Sequence, residues 1–324
     1  MKKIKKNRVV FFNDKFIPEK DAKLSIYDSA LMFGDMVFEM TRSFNKKQFL
    51  LEEHIDRLLS GLKILRIKIK YSKKDLIKIC EKTVAENEKT MNKDDEHRLM
   101  IDVSRGLLGI YENIQNSSKG SNVIVADFPL KWTVKGMSKL FSQGINAVIT
   151  SQRAIPPMYM DPKIKNRSRM FYLNANIEAS LFKGKNNWAM LLDANGFIAE
   201  GTGNNIFIVK DGKVFTPKGV HALRGITRNY VINLCKQLKL PIHEIDIEPF
   251  DVYEADEAFV TATPFCMIPV VSLNSIKIGS GRRGKIFNKI LKFWSEKVDV
   301  DIEKQIKNWE TRSQNNKLSP YKFK

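Results

Sequence analysis

Residues 188–215 constrain the fold more than any other stretch. Four apolar runs, 188–192, 197–199, 206–209 and 214–215, are interrupted by Asn195-Gly196 after the first and by Asp211-Gly212 after the third. Both dipeptides accept the positive φ that a two-residue hairpin turn demands, so two hairpins follow one another closely. The stretch therefore predicts an antiparallel meander. Helical spacing on either side of it makes the chain α+β and argues against a doubly wound parallel sheet.

A length of 324 residues leaves room for two domains. Near the start, 9–17 reads as a strand turned at Asn13-Asp14, and Ile55, Leu58, Leu59, Leu62 and Leu65 repeat at helical spacing over 52–65. Ser72 caps a second helix with Leu76, Ile77, Ile79, Cys80 and Val84 on its buried face. Residues 98–104 read as a strand, 112–121 as an exposed polar loop, and 123–126 as a strand that ends at Pro129. There the small N-terminal domain, 1–129, closes. The larger domain, 130–297, holds an expected helix over 137–143, a strand over 147–150, a helix over 174–182 and then the meander. A helix over 227–238, a strand over 258–261 and a helix over 285–298 follow, and 298–324 is a polar tail rich in Gln, Asn and Lys.

Composition excludes several classes. With 43% apolar residues the chain is not of the disordered kind. The 55 Lys and Arg against 36 Asp and Glu give a charge of +19, yet the basic residues are spread along amphipathic segments such as 72–86, so nucleic acid is not the expected partner. Cys80, Cys235 and Cys266 lie far apart with no CxxC spacing and read as small buried side chains in a reducing cytoplasm. The basic residues 1–6 precede an apolar stretch, 9–12, too short for export. The most apolar window, 258–273, is interrupted by Thr, Pro and Cys and falls short of the roughly 18 to 20 residues of a membrane span. A soluble protein is expected.

One motif imitates a phosphate loop. Gly279-Ser280-Gly281-Arg282-Arg283-Gly284-Lys285 matches GxGxxG and most of GxxxxGK. Ile286 stands where a Mg²⁺-binding Ser or Thr belongs, and the roughly 40 residues that remain cannot build the parallel sheet such loops need, so the motif reads as a surface strand-to-helix loop. His54, His97, His221 and His243 show neither HxH nor HExxH spacing, so no metal site is expected. There is no GxSxG elbow.

A second group of motifs carries chemistry. In order come Phe33-Gly34-Asp35-Met36-Val37-Phe38-Glu39, His54-Ile55-Asp56-Arg57-Leu58, Ser104-Arg105-Gly106 and Phe128-Pro129. Lys165-Asn166-Arg167-Ser168-Arg169 follows, with Glu178 13 residues beyond the lysine. Then come Glu200-Gly201-Thr202-Gly203-Asn204-Asn205, Gly225-Ile226-Thr227-Arg228 and Ala255-Asp256-Glu257-Ala258-Phe259. This series resembles the class IV aminotransferases, pyridoxal-phosphate enzymes of fold type IV that include branched-chain and D-amino acid aminotransferases and aminodeoxychorismate lyase. The resemblance covers residues 8–297. It implies a two-domain α+β fold of the D-amino acid aminotransferase kind, pyridoxal 5′-phosphate as cofactor, and a homodimer.

Pyridoxal phosphate is an electron sink, so its protein must supply a lysine, a partner for the ring nitrogen and a phosphate anchor. The resemblance makes Lys165 the Schiff-base lysine and catalytic residue, whose freed amine carries a proton between the substrate α-carbon and C4′. It pairs Glu200 with the pyridine nitrogen. Gly225, Ile226 and Thr227 would hold the phosphate at the positive end of a helix, Arg57 and Thr263 would add a guanidinium and a hydroxyl, and Gly203 and Leu223 would line the ring.

Substrate residues depart from each group. Met170 stands where branched-chain enzymes carry a Tyr, and Glu96 where they carry another two residues before Arg98. The Arg-x-His carboxylate trap of D-amino acid enzymes is replaced by Leu107-Leu108-Gly109-Ile110-Tyr111. Phe33 and Phe38 would offer apolar surface to a side chain, and the strand from Arg98 to Gly106 resembles that of branched-chain enzymes. The expected activity is therefore transfer of an amino group between a branched-chain L-amino acid and a 2-oxo acid. D-amino acid transamination and aminodeoxychorismate lysis stand behind it. A non-catalytic protein of this fold and a basic nucleic-acid binder are the distant alternatives.

Overall fold

The computed structural model describes residues 7–111, 113–114 and 120–311. The basic first six residues, much of the expected loop at 112–121 and the end of the tail lie outside the described residues. The chain forms two compact units, Met1–Trp132 with Ile164–Arg169, and Thr133–Lys163 with Met170–Lys324. The boundary expected at Pro129 thus falls at Trp132. The segment carrying Lys165, expected in the larger domain, belongs to the first unit instead, because it pairs with an edge strand there.

The first unit contains β1 (Val9–Phe12), β2 (Lys15–Pro18), α1 (Ser29–Phe33), β3 (Met36–Met40) and the small hairpin β4 (Ser43–Phe44) and β5 (Lys47–Gln48). Helices α2 (Leu51–Ile64) and α3 (Lys73–Glu88) and strands β6 (His97–Ser104) and β7 (Asn122–Pro129) complete it. The sheet runs β2-β1-β7-β6-β3, antiparallel throughout. Helix α3 starts where expected, since Ser72 and Asp75 close a capping box. Alternation divides the sheet into two faces. Val37, Leu99, Ile101, Val103, Val123 and Val125 point at the helices and pack on Ile55, Leu58, Leu62 and Leu76. Each such fully buried side chain contributes about 1.5–3 kcal/mol. The opposite face carries Phe38, Met40, Arg98, Met100 and Asp102.

A short helix, α4 (Lys131–Val134), marks the passage to the second unit. There α5 (Leu140–Gln143), β8 (Ile145–Arg153), α6 (Met170–Ser180), β9 (Asn187–Leu192), β10 (Ile198–Gly201), β11 (Asn205–Lys210) and β12 (Lys213–Pro217) follow. After them come α7 (Ile226–Gln237), β13 (Ile242–Ile245), α8 (Pro249–Tyr253), β14 (Glu257–Ala262), β15 (Cys266–Leu273), β16 (Ile276–Lys277), α9 (Lys285–Lys297) and α10 (Ile302–Thr311). The sheet order is β10-β9-β8-β15-β14-β11-β12-β13, with β16 on β15. Both hairpins of the meander form, β9 with β10 and β11 with β12. The sheet is mixed rather than antiparallel, because β8 pairs parallel with β9 and β15, and β12 with β13.

Two expectations need correction. Residues 298–324 are not simply a polar tail: α10 buries Ile302, Ile306 and Trp309 and is part of the unit. The helix expected over 137–143 shrinks to α5, a single turn. The glycine-rich loop before α9 has a structural role, as read from the sequence. Glu257 accepts from the backbone N–H of Ile286 and Phe287, both at 2.9 Å, so a protein carboxylate already occupies that helix N-terminus. Among the described residues no helix is long and apolar enough to cross a membrane, and no His/Cys/Asp/Glu group could hold a metal ion. All three cysteines are buried and, among the described residues, form no disulfide, and burial pushes the Cys80 and Cys235 thiols up to about 12.

Candidate active site

In the first unit, residues 165–167 extend the sheet beyond β3. The N–H of Phe38 donates to the Lys165 carbonyl at 2.9 Å and that of Arg167 to the Met36 carbonyl at 3.1 Å, with Val37 opposite Asn166. This register puts Lys165, Arg167, Met36 and Phe38 on the face away from the helices, and Asn166 on the other. The Phe38 ring, buried at 3% exposure, carries Lys165 Nζ 4.7 Å, Arg167 Cζ 3.7 Å and Arg169 Cζ 4.8 Å from its centroid. Phe38 is therefore a platform for cations, where the sequence suggested an apolar wall.

On the helical side of β3 lies Glu39, fully buried. Its carboxylate accepts from Arg57 Nε at 2.6 Å and Nη2 at 2.8 Å and hydrogen-bonds His54 Nδ1 at 2.7 Å. Burial works to raise the Glu39 pKa, but the charge of Arg57 and the bonds from Arg57 and His54 outweigh it and hold the carboxyl well below its ordinary range. His54 is held below its ordinary value, first by burial and then by the positive charges of Arg57 and Lys165 against the pull of Glu39. Neutral His54 then donates Nδ1–H to Glu39. Arg57, expected as a phosphate ligand, is thus oriented by a buried acid that sequence reasoning missed. The signal was present: Glu39 shares the core-facing parity of Val37 on β3.

Of the other expected residues in this unit, Arg98 is buried on β6 with Nη2 3.5 Å from Met40 Sδ. Phe33 ends α1 with its ring exposed. Glu96 is a structural acid that accepts from Asn45 N–H at 2.9 Å, Lys46 N–H at 3.0 Å and the Ser43 hydroxyl, and so closes the β4–β5 hairpin.

The second unit gathers Glu200, Leu223, Gly225, Ile226 and Thr227. Glu200, at the end of β10 and 4% exposed, accepts from the Tyr172 hydroxyl at 2.5 Å and from the Leu223 N–H at 3.0 Å. Asn205 bridges the same group, donating Nδ2 to the Leu223 carbonyl at 2.9 Å. Gly225 is the N-cap of α7, with no side-chain cap. A Cβ there would lie 2.2 Å from Asn205 Oδ1, so only glycine allows this approach. Thr227 is buried in the first turn, and the Thr261 hydroxyl on β14 is buried without a hydrogen-bond partner among the described residues. Gly203 lies in the turn after β10, and Thr263 in the turn between β14 and β15. Glu178 anchors α6 by accepting from the Ser151 N–H and hydroxyl. Tyr172 and Asn205 join this group through their hydrogen bonds, partners that the sequence alone did not assign.

These groups fit pyridoxal phosphate: an uncapped helix N-terminus and an unsatisfied buried hydroxyl suit a phosphate, and a held carboxylate suits a ring nitrogen. The family model for amino-transferase class IV matches residues 36–273. The chain belongs to the class IV aminotransferases. A branched-chain-amino-acid aminotransferase of Escherichia coli K12 is 31% identical over 294 residues, covering 88% of this chain and 91% of that one. A crystal structure of the E. coli branched-chain amino acid aminotransferase superposes with a TM-score of 0.79 at 30% identity, covering 89% of this chain and 93% of that one. The T.th. branched-chain amino acid aminotransferase complexed with N-(5′-phosphopyridoxyl)-L-glutamate gives 0.76 at 26% identity, over 96% and 97% of the two chains. This class IV aminotransferase is an enzyme of fold type IV, and its cofactor is pyridoxal 5′-phosphate.

Proposed function

We propose that this aminotransferase moves the amino group of a branched-chain L-amino acid to a 2-oxo acid, with Lys165 holding the cofactor. One observation carries the reading. Glu200 accepts from the N–H of Leu223, two residues before the N-cap of α7, so an acid for a ring nitrogen and an open helix N-terminus for a phosphate occupy one short, hydrogen-bonded piece of chain.

Bound pyridoxal phosphate draws electrons from the substrate α-carbon. Glu200 would keep the ring nitrogen protonated, and its bonds from Tyr172 and Leu223 hold the carboxylate in place for that task. Thr227, Thr263, the N–H groups at Gly225 and Ile226, and Arg57 bind the phosphate. Lys165 would hold the cofactor, and its amine would carry the proton between the α-carbon and C4′. Gly203 and Leu223 flank the ring.

The branched-chain assignment follows the similar proteins and the apolar surface beside Lys165, where Met36, Phe38, Met40 and Met100 share one face of the first sheet. A methylene in such a pocket is worth only about 1–3 kcal/mol, so leucine, isoleucine and valine are all substrates. The enzyme is a cytoplasmic homodimer in this reading. Met170, Leu173 and Ile177 along α6 and Leu181 just beyond its end follow one another at helical spacing and are exposed at 68%, 39%, 41% and 79%. A second copy would cover that stripe, and the particle should sediment at twice the 37.3 kDa chain mass.

The test is a half-reaction screen. Holoenzyme is mixed with single L- and D-amino acids, and conversion of the cofactor to pyridoxamine phosphate is followed by its visible spectrum. L-leucine, L-isoleucine and L-valine should convert it. Conversion by D-amino acids alone would replace the substrate assignment, and no conversion by any amino acid would overturn the activity.

A further inference from the structure

Every amino acid and 2-oxo acid brings an α-carboxylate, and a buried or half-buried carboxylate needs a cation with hydrogen-bond donors to hold it. Beside Lys165 the Arg167 side chain has the chemistry and the room. Arg167 is two residues along the same short strand and on the same face, fixed there by the Arg167 N–H to Met36 carbonyl bond. Its guanidinium carbon lies over Phe38, 3.7 Å from the ring centroid. Nε and Nη2 both donate to one oxygen of Asp102, at 3.2 and 2.8 Å.

That arrangement uses one N–H of Nε and one of Nη2. Three of the five N–H groups of an arginine therefore have no protein partner among the described residues. The side chain is 34% exposed, so the open edge is reachable. Asp102 orients the fork rather than saturating it. It is itself buried, and burial raises its pKa against the pull of Arg167.

The segment is also rigid. Ser168 N–H donates to Asn166 Oδ1 at 3.0 Å, Asn166 Nδ2 to the Ile164 carbonyl at 3.1 Å, and the Ser168 hydroxyl to the Phe33 carbonyl at 3.1 Å. A Cβ on Gly34 would lie 2.7 Å from that hydroxyl. The spacing between the Lys165 amine and the Arg167 fork is therefore set before any ligand arrives, as recognition of a small anion next to the reacting nitrogen requires.

We propose that Arg167 is the residue that binds the α-carboxylate of the substrate, with Asp102 and Phe38 as its positioning residues. The inference rests on the transaminase reading above and adds a specificity determinant to it. The amine exchanged at Lys165 and the α-carboxylate are attached to the same carbon. A fork on the lysine's own face, held two residues away, therefore fixes which side of the α-carbon points to the apolar surface of Met40 and Met100.

The experiment uses holoenzyme, wild type and Arg167→Gln, with 4-methylpentanoate as a carboxylate probe that cannot react. Calorimetry should show its dissociation constant rising about 30- to 100-fold in the variant, the lower range for losing one partner of a partly buried charge pair. KM for L-leucine should rise likewise with a smaller change in kcat, and Arg167→Lys should recover part of the loss. The double variant Asp102→Asn/Arg167→Gln leaves no unpaired buried carboxylate and repeats the measurement should Arg167→Gln fold poorly. Unchanged binding of 4-methylpentanoate in variants that keep the cofactor's visible band would overturn the role of Arg167 while leaving the activity intact. A loss confined to dicarboxylic substrates would overturn it too. A wild-type protein that converts no amino acid would instead refute the transaminase reading.

Discussion

Replacing Glu39 by glutamine tests the buried acid behind Arg57. Three N–H donors converge on its two oxygens: Arg57 Nη2 and His54 Nδ1 on Oε2, at 2.8 and 2.7 Å, and Arg57 Nε on Oε1, at 2.6 Å. An amide offers one oxygen and one NH₂, so at least one donor is left facing another donor, and the guanidinium loses its counter-charge. Breaking a buried pair costs about 3–5 kcal/mol. The Arg57 side chain retains 13% exposure and so some hydration, which places the cost near the lower end, about 3 kcal/mol. Denaturant unfolding of apoprotein at pH 7 measures it.

The pH dependence has a definite sign. Burial alone would raise the carboxyl, yet its partners hold it below the ordinary 4.5. Its stabilisation is therefore fully present above that value and is lost as pH falls through the folded-state value. The wild-type advantage over Glu39→Gln should be constant from neutrality to about pH 5 and should narrow below it. A cost under about 0.5 kcal/mol at pH 7, or an advantage that grows in acid, would refute the reasoning.

His97 predicts the opposite trend. Burial lowers its pKa most, but Asp127, 2.7 Å from Nδ1, and Glu88 at Nε2 outweigh it and raise the imidazole above 6.5. The network's stabilisation is full below 6.5 and lost as pH rises through the folded value, so the melting temperature of His97→Gln should fall further behind wild type at pH 6 than at pH 9. Glu257→Ala uncaps α9 and should cost about 1–2 kcal/mol by denaturant unfolding. Glu200→Gln keeps an oxygen for the Leu223 N–H and an NH₂ for the Tyr172 oxygen, so stability should change by less than about 1 kcal/mol. Its kcat should nevertheless drop about 100-fold or more, because the proposed charge partner of the ring nitrogen would be gone.

Local signals were legible wherever one short stretch determined its own conformation. Asp211-Gly212 fixes its hairpin with both residues at positive φ, whereas Asn195-Gly196 lies in a longer loop, 193–197, where only Gly196 has positive φ and Asp193 accepts from the N–H of Asn195 and Phe197; Ser72 with Asp75 fixes the start of α3. Long-range pairing was not. The parallel contacts of β8 with β9 and β15 and of β12 with β13 join segments far apart in sequence, and nothing within any one of these strands specifies its neighbour. Helix α10 was read as polar because only Ile302, Ile306 and Trp309, spaced three and four apart among Glu, Lys, Gln and Asn, are buried. The same limit applied to the site. Motif order marked Lys165, Glu200 and the Gly225–Thr227 turn, but Glu39, Tyr172 and Asp102 emerge only from registers and distances. Even the domain boundary failed at 164–169 for that reason, since six residues rejoin the first unit through two backbone bonds.

The most direct test of the central claim is borohydride reduction of holoenzyme followed by peptide mapping. The account predicts loss of the visible band and a phosphopyridoxyl mass on the peptide containing Lys165, with none elsewhere. Modification of any other lysine, with Lys165 unlabelled, would contradict it.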